Sequence, residues 1–319
     1  MPEGAAVRFD RATKRFGTFT AVDALSFEVP RGSIFGLLGQ NGAGKTTSIR
    51  MLMNIVAPDE GRVEVLGQAM NEGLKERLGY LPEERGLYKK MRMRELLLFF
   101  GRIKGREPAF LGARIDRWVQ RMGLTEWLTR RVEELSKGMA QKVQFIATVV
   151  HEPDLLVLDE PFAGLDPVNR DVMRDAVLEL RAQGTTVLFS THVMEQAESL
   201  CDRILLIHRG RSLLQGTVDE VRRREGREAA FVRLAAADRQ GFQGLPGVVS
   251  AANQGAEAEL VLAPDAQPRE LLRALMDRGE VLRFEVRTPS LHEIFKRAVG
   301  VPSPAAEGPE PGRRGEAPK

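Results

Sequence analysis

GQNGAGKTT, running from Gly39 to Thr47, is the stretch whose reading decides the fold. It satisfies the pattern GxxxxGK[ST], with Gly39, Gly44, Lys45 and Thr46 in the fixed places. An apolar run from Ile34 to Leu38 precedes it, and Ser48 to Met53 reads as a helix, so the loop has the strand-to-helix setting that a phosphate-binding loop requires. Glycines let the backbone curl and turn several amides toward one point, and the start of a helix adds partial positive charge there. A polyphosphate is the guest that such a loop suits. Lys45 can reach its terminal phosphates as a point charge, and the Thr46 hydroxyl suits a magnesium ion.

The other strands fall into two kinds. Val7 to Phe16 and Leu25 to Val29 alternate apolar and polar residues, as half-buried antiparallel strands do, and Val63 and Val65 mark another. Leu155 to Leu158, Val187 to Phe189 and Ile204 to Ile207 are continuous apolar runs, the mark of parallel strands covered on both faces. Between the second kind lie helices. Arg170 to Gln183 carries Val172, Met173, Ala176, Val177 and Leu180 at helical spacing, with Gly184 placed to end it. From Arg92 to Glu134 the pattern is helical only, which predicts a helical insert in an α/β core, entered through the basic cluster of Lys89, Lys90, Arg92 and Arg94.

After Gly216 a charged helix through Arg222 to Arg224 reads as a linker. Beyond it, Ala230 to Leu234, Gly247 to Ser250, Glu257 to Leu262 and Val281 to Val286 read as strands, and Arg269 to Arg278 and Leu291 to Val299 as helices, the last with a capping box at Ser290 and Glu293. The order suggests a small α+β domain, loosely ferredoxin-like. Residues 301–319 have almost no apolar side chains to bury and are expected to be disordered.

Composition narrows the class. At 319 residues, 43% of them apolar, the chain has room for about two domains with real cores. No run approaches the ~20 apolar residues of a membrane span, and the opening residues lack the apolar stretch of a signal peptide, so a cytosolic location is expected. Cys201 is the only cysteine, which excludes an internal disulfide and a cysteine-built zinc site. A net charge of +3 is too small to argue for nucleic acid.

A phosphate loop alone leaves kinases, small GTPases and many ATPases open. LLVLDE, Leu155 to Glu160, narrows the choice: an apolar strand ends in two acids, suiting Asp159 to magnesium and Glu160 to activating a water. Next come Gly164, Leu165 and Asp166, then Ser190, Thr191 and His192, while LSKGM, Leu135 to Met139, lies upstream. In this order and spacing the set resembles the ATP-binding subunits of ABC transporters, from about Val7 to Gly216. The resemblance implies a P-loop NTPase core with an antiparallel β subdomain and a helical insert, in a domain of residues 1–220 whose helical part spans about 92–140. An α+β accessory domain of residues 221–300 and the tail would follow.

It also implies roles. Gly39 to Thr47 resembles the Walker A loop, with Gly39, Asn41, Gly42, Ala43, Gly44, Lys45, Thr46 and Thr47 on ATP, and Asp159 resembles the Walker B aspartate that joins Thr46 on Mg2+. Glu160 resembles the catalytic base, and His192 the switch histidine that senses the terminal phosphate. Phe16, in KRFG, stands where the family stacks an aromatic on adenine. Leu135 to Met139 is similar to the LSGGQ signature, so Ser136 and Gly138, with Asp166, join the nucleotide-binding set. That signature closes on the ATP of an opposite subunit, implying a homodimer, and a separate transmembrane permease would hold the protein at the inner face of the membrane. Two departures stand out: Lys137 and Met139 replace the usual glycine and glutamine, and Glu83 stands where most of the family has a magnesium-linked glutamine. Both resemble the branch of sodium exporters and other ABC-2 type exporters, which also carry a small C-terminal domain. An ABC ATPase acting on ribosomes or DNA fits less well, because the loop occurs once and the insert lacks sustained heptads. A nucleotide sensor without hydrolysis is disfavoured by Glu160 and His192.

Overall fold

The computed structural model describes residues 4–84, 86–225, 229–235, 242, 244–254, 257–263, 265–287 and 289–299. The tail of residues 301–319, Arg85 and Arg227 lie outside the described residues. The chain divides into two compact units, Met1–Val218 and Asp219–Lys319.

In the first unit the alternating segments form β1 (Ala5–Phe16) and β2 (Phe19–Pro30), an antiparallel hairpin that closes at the pair Phe16 and Phe19. β4 (Glu60–Val65) joins the other side of β1, giving the antiparallel sheet β2-β1-β4. The continuous apolar runs become β3 (Ile34–Leu38), β6 (Leu155–Asp159), β7 (Thr186–Thr191) and β8 (Arg203–His208). Sequence reading did not find β5 (Leu78–Leu81), too short to show a period, or β9 (Arg211–Thr217), an edge strand. The sheet order is β5-β6-β7-β3-β8-β9, parallel except for β9, with α2 (Glu72–Lys75) just before β5 and α7 (Met194–Leu200) between β7 and β8.

Alternate residues of the buried strands feed two cores. Leu156 and Leu158 of β6 pack on the side of α3 (Met93–Ile103), α4 (Pro108–Arg121) and α5 (Lys137–Val149), whereas Leu155 and Val157 face the antiparallel sheet. There the rings of Phe9, Phe27 and Phe35 stack in series, with centroids 4.5 Å and 5.6 Å apart, and so fasten β1 and β2 to β3. Such pairs add to the large apolar burial of each ring. The insert carries helices and no strand, as expected, apart from an isolated bridge between Arg92 and Arg131, and Arg94 at its start pairs with Asp116 of α4. α6 (Pro167–Ala182) begins three residues before its expected start, because Asp166 caps it and Pro167 takes the first helical position, where a missing N–H costs nothing.

The second unit starts within α8 (Val218–Glu225) and holds the antiparallel sheet β11-β12-β10-β13, built from β10 (Ala229–Leu234), β11 (Val248–Gln254), β12 (Glu257–Leu262) and β13 (Val281–Arg287). α9 (Pro268–Met276) covers it with Leu271 and Leu275, and α10 (Leu291–Ala298) starts at the Ser290 and Glu293 capping box. The strand order is that of a ferredoxin-like sheet. α9 lies between β12 and β13, and α10 follows the last strand; residues 236–241, on the connection from β10 to β11, lie outside the described residues.

One buried base sets an acid limit on the first unit. His151 is fully buried, its Nε2 lies 3.2 Å from the Leu78 carbonyl, and its Nδ1 has no hydrogen-bond partner among the described residues. Burial, helped by the charge of Lys104, lowers its pKa to about 4. The unfolded chain binds this proton below about 6.5, and the folded chain does not until about 4. Stability is therefore complete above about pH 6.5 and falls as the pH drops toward 4, by up to about 3 kcal/mol. Urea unfolding midpoints of the wild type and His151→Gln should diverge in slope across that window; parallel pH profiles would assign the acid loss to other groups.

Candidate functional site

The ends of β3, β6 and β7 bring the site together. β3 runs into the loop and then α1 (Lys45–Leu52), whose first turn follows Gly44. Gly44 has φ 110°, and a Cβ there would stand 2.6 Å from the Ala21 carbonyl oxygen, so the strand of the antiparallel sheet fixes a glycine at this place. The loop borders a cleft of ≈ 320 Å³ lined by Gln40, Asn41, Gly42, Gly44 and Lys45 to Thr47, and on the other side by Glu83, Glu160 and His192. Gly39 and Ala43 support the loop from behind rather than line the cleft. The Ala43 carbonyl accepts from the Gly210 amide at 2.9 Å.

Lys45 is buried, and its ammonium donates to the carbonyls of Gly39 at 2.8 Å and Gln40 at 3.3 Å and lies 3.5 Å from Glu160 Oε1. Glu160 Oε1 also meets His192 Nδ1 at 2.9 Å. The backbone of Glu160 has φ 48°, a left-handed conformation that costs a non-glycine residue energy and turns its side chain out of the strand into the cleft. Its amide is held by both the carbonyl and the hydroxyl of Ser190, each at 3.2 Å.

That hydroxyl also donates to Asp159 Oδ1. Burial pushes the Asp159 carboxyl up, while the hydroxyls of Ser190 and Thr46 draw it down. The sequence reading gave Ser190 no role, although a signal existed. β6 and β7 are adjacent and parallel, so the serine ending one apolar run stands beside the aspartate ending the other, as the register Asp159 with Ser190 shows. Thr191 then holds the following turn, with its hydroxyl donating to Gln196 at 2.8 Å and accepting from the Val193 amide at 3.1 Å.

Among the described residues no group of three or more His, Cys, Asp or Glu could hold a metal ion. The Thr46 hydroxyl, the Asp159 carboxylate and, across the cleft, the Glu83 carboxylate are hard oxygen donors. This set fits Mg2+, which uses one or two carboxylates and completes its shell with phosphate and water.

Four further expected residues stand elsewhere. Phe16 does not line the cleft; its cross-strand partner Phe19 does, with 61% of its surface exposed. Ser136 is exposed at the start of α5, where its hydroxyl accepts from the Met139 amide at 3.2 Å, and neither it nor Gly138 lines the cleft. Asp166 caps α6, accepting from the Asn169 amide at 2.9 Å.

The phosphate loop on β3, the acids ending β6 and the histidine after β7 define a P-loop nucleotide-binding protein. Family comparisons carry this further. Residues 22–163 match the model of the ABC transporter family, and residues 216–299 match the C-terminal domain of DrrA1-3-like ATP-binding proteins. The chain is 39% identical to the uncharacterized ABC transporter ATP-binding protein YhaQ of Bacillus subtilis (strain 168), over 91% of this chain and 97% of that one. It is 35% identical to the Nod factor export ATP-binding protein I of Paraburkholderia xenovorans (strain LB400), over 94% of this chain and 98% of the relative. A solved structure of an ATP-binding subunit of an ABC transporter superposes with a TM-score of 0.65 at 29% identity, covering 69% of this chain and 92% of that one. The chain belongs to the family of ABC transporter ATP-binding proteins, ATPases that power transport together with a transmembrane component. No helix among the described residues is long and apolar enough to cross a membrane.

Ser190→Ala should expose the weight of the shared hydroxyl. Loss of a buried donor that serves Asp159, and of an acceptor for the Glu160 amide, is worth about 1–3 kcal/mol. Denaturant unfolding should show that loss together with reduced ATP turnover. Unchanged stability and turnover would show that the strand register alone positions both acids.

Proposed function

We propose that this protein is the ATP-hydrolysing subunit of an exporter, working as a homodimer at the cytoplasmic face of a membrane on a separate permease. Export rests on its similarity to a relative named for Nod factor export and on the DrrA-like C-terminal match. The homodimer rests on one observation: the Ser136 and Gly138 turn resembles a nucleotide-contacting signature, yet it stands outside the cleft of its own chain. A second copy related by a two-fold axis would bring each turn to the other's phosphate loop.

Within one cleft, the loop amides and Lys45 hold the phosphates, and adenine lies against the hairpin that carries Phe16 and Phe19. Thr46, Asp159 and Glu83 would hold Mg2+, which when bound supplies positive charge to the phosphate oxygens. Glu160 takes the proton of the attacking water, and the bond from His192 Nδ1 keeps its carboxylate directed into the cleft. Release of Lys45 from Glu160 to the phosphates leaves that carboxylate free to act as the base.

Glu160→Gln should lower turnover about 10²- to 10⁴-fold, or roughly 3–5 kcal/mol of barrier, while ATP still binds. In the same variant a spin-label distance from the exposed position 133, just before the signature turn, to the exposed position 50 on α1 of the second copy should shorten on adding ATP. Undiminished turnover would remove Glu160 as the base, and an unaltered distance would remove the closing dimer.

The loop after β5 supplies the link to the permease. Glu83 borders the nucleotide cleft, while Pro82, Gly86 and Leu87 of the same loop border a second, apolar cleft of ≈ 370 Å³ with Ile55, Tyr80 and Ile103. Ile55 and Ile103 are exposed, which suits an apolar segment of the transmembrane partner as the occupant. Glu83→Ala should abolish the permease's effect on ATPase rate in reconstituted vesicles, while the basal rate of the isolated subunit falls by a smaller factor, that of one lost Mg2+ ligand. Equal loss in both settings would give Glu83 to the chemistry; intact coupling would take it out of the link.

A further inference from the structure

The second unit has a sheet edge that is open among the described residues. Among the described residues β13 pairs only with β10, so the other side of β13 presents backbone donors and acceptors without a neighbouring strand. Edges of this kind pair readily with another strand, and proteins normally cover or blunt them. Beside this edge lies an apolar notch between α9 and β13, lined by Leu272, Met276, Leu282 and Phe284, in which Met276 is 64% and Leu282 54% exposed. The opposite edge strand, β11, reads VVSAANQ and carries no charge.

The sequence of β13, VLRFEVR, is complementary to itself in one antiparallel register. With a two-fold axis through Phe284, Arg283 of one copy faces Glu285 of the other on one face of the sheet, twice by symmetry. On the other face Leu282 meets Val286, next to the notch that needs cover. Cross-strand pairs of opposite charge and of apolar side chains are the favourable kinds. Centring the axis on Arg283 sets that arginine against itself. Centring it on Glu285 sets the glutamate against itself and Arg283 against Arg287. The charges thus select one register while discouraging its neighbours. Within one chain Arg283 pairs with Glu257 and Glu285, so the acid and base already lie side by side on this face.

We propose that β13 is a homotypic interface, at which two copies of this chain join their C-terminal sheets edge to edge in the absence of nucleotide. The contact is isologous and separate from the closure of the phosphate sites, so it can keep two subunits together between ATP cycles.

Sedimentation of the full chain without nucleotide tests it. The wild type should be a dimer in the micromolar range. Arg283→Glu turns both symmetry-related pairs from attraction to repulsion and should raise the dissociation constant about tenfold. The double exchange Arg283→Glu with Glu285→Arg restores the pairs and should recover dimerisation, although it leaves the contact to Glu257 broken. An independent check is the Arg283→Cys, Glu285→Cys chain, which should form a covalent dimer under mild oxidation. A wild type that is monomeric without nucleotide would overturn the proposal, and so would equal weakening by the single and double exchanges or the absence of covalent dimer. Because ATP is left out, these outcomes are independent of the distance change between positions 133 and 50.

Discussion

The parallel register of three neighbouring strands is the constraint on which the first unit depends. β3, β6 and β7 pair so that Leu38 stands beside Thr191, and Asp159 beside Ser190. These pairings place most of the cleft's polar groups: the loop follows β3, Glu160 follows β6 and His192 follows β7, while Glu83 comes from the loop after the next strand, β5. Ligands of open α/β sheets gather at the carboxyl ends of the strands because only there can loops from adjacent strands converge. The stacked Phe9, Phe27 and Phe35 extend this register to the antiparallel sheet, whose Ala21 carbonyl in turn confines Gly44.

Within this frame the electrostatics are divided between neighbouring residues. Asp159 is kept in the sheet, where burial raises its pKa and two hydroxyls oppose that rise. Glu160, one residue later, leaves the sheet through a left-handed turn and meets Lys45 and His192. Two adjacent carboxylates thus face different surroundings, one between two hydroxyls and the other between an ammonium and an imidazole. The strain at Glu160 persists because Ser190 binds its amide twice.

How much of this was legible in the sequence depended on whether the signal was local. The phosphate loop, the acid pair and the doubly covered strands show as contiguous residues, and the structure has β3, β6, β7 and β8 where the apolar runs are. The capping box at Ser290 is equally local. β5 and β9 escaped because four residues show no period and an edge strand is not continuously apolar. The ferredoxin-like expectation is met in the strand order, which follows from four alternating segments, while the connection from β10 to β11 lies mostly outside the described residues. Ser190 and Phe19 were not singled out because their importance lies in pairings across strands. Their own positions are unremarkable as sequence: a serine after an apolar run and a phenylalanine just past a two-residue turn.

The loop after β5, which borders one cleft with Glu83 and another with Pro82, Gly86 and Leu87, makes communication between the clefts a two-way matter. If occupancy of the apolar cleft shifts this loop, nucleotide affinity changes by some factor, and thermodynamic linkage requires nucleotide to change affinity for the apolar guest by the same factor. The residue at position 83, between the two clefts, is an acid rather than the amide of a glutamine. If a cation binds beside it, the strength of such coupling would vary with ionic strength and with that cation, quantities that report on the state of the cell as well as on the guest.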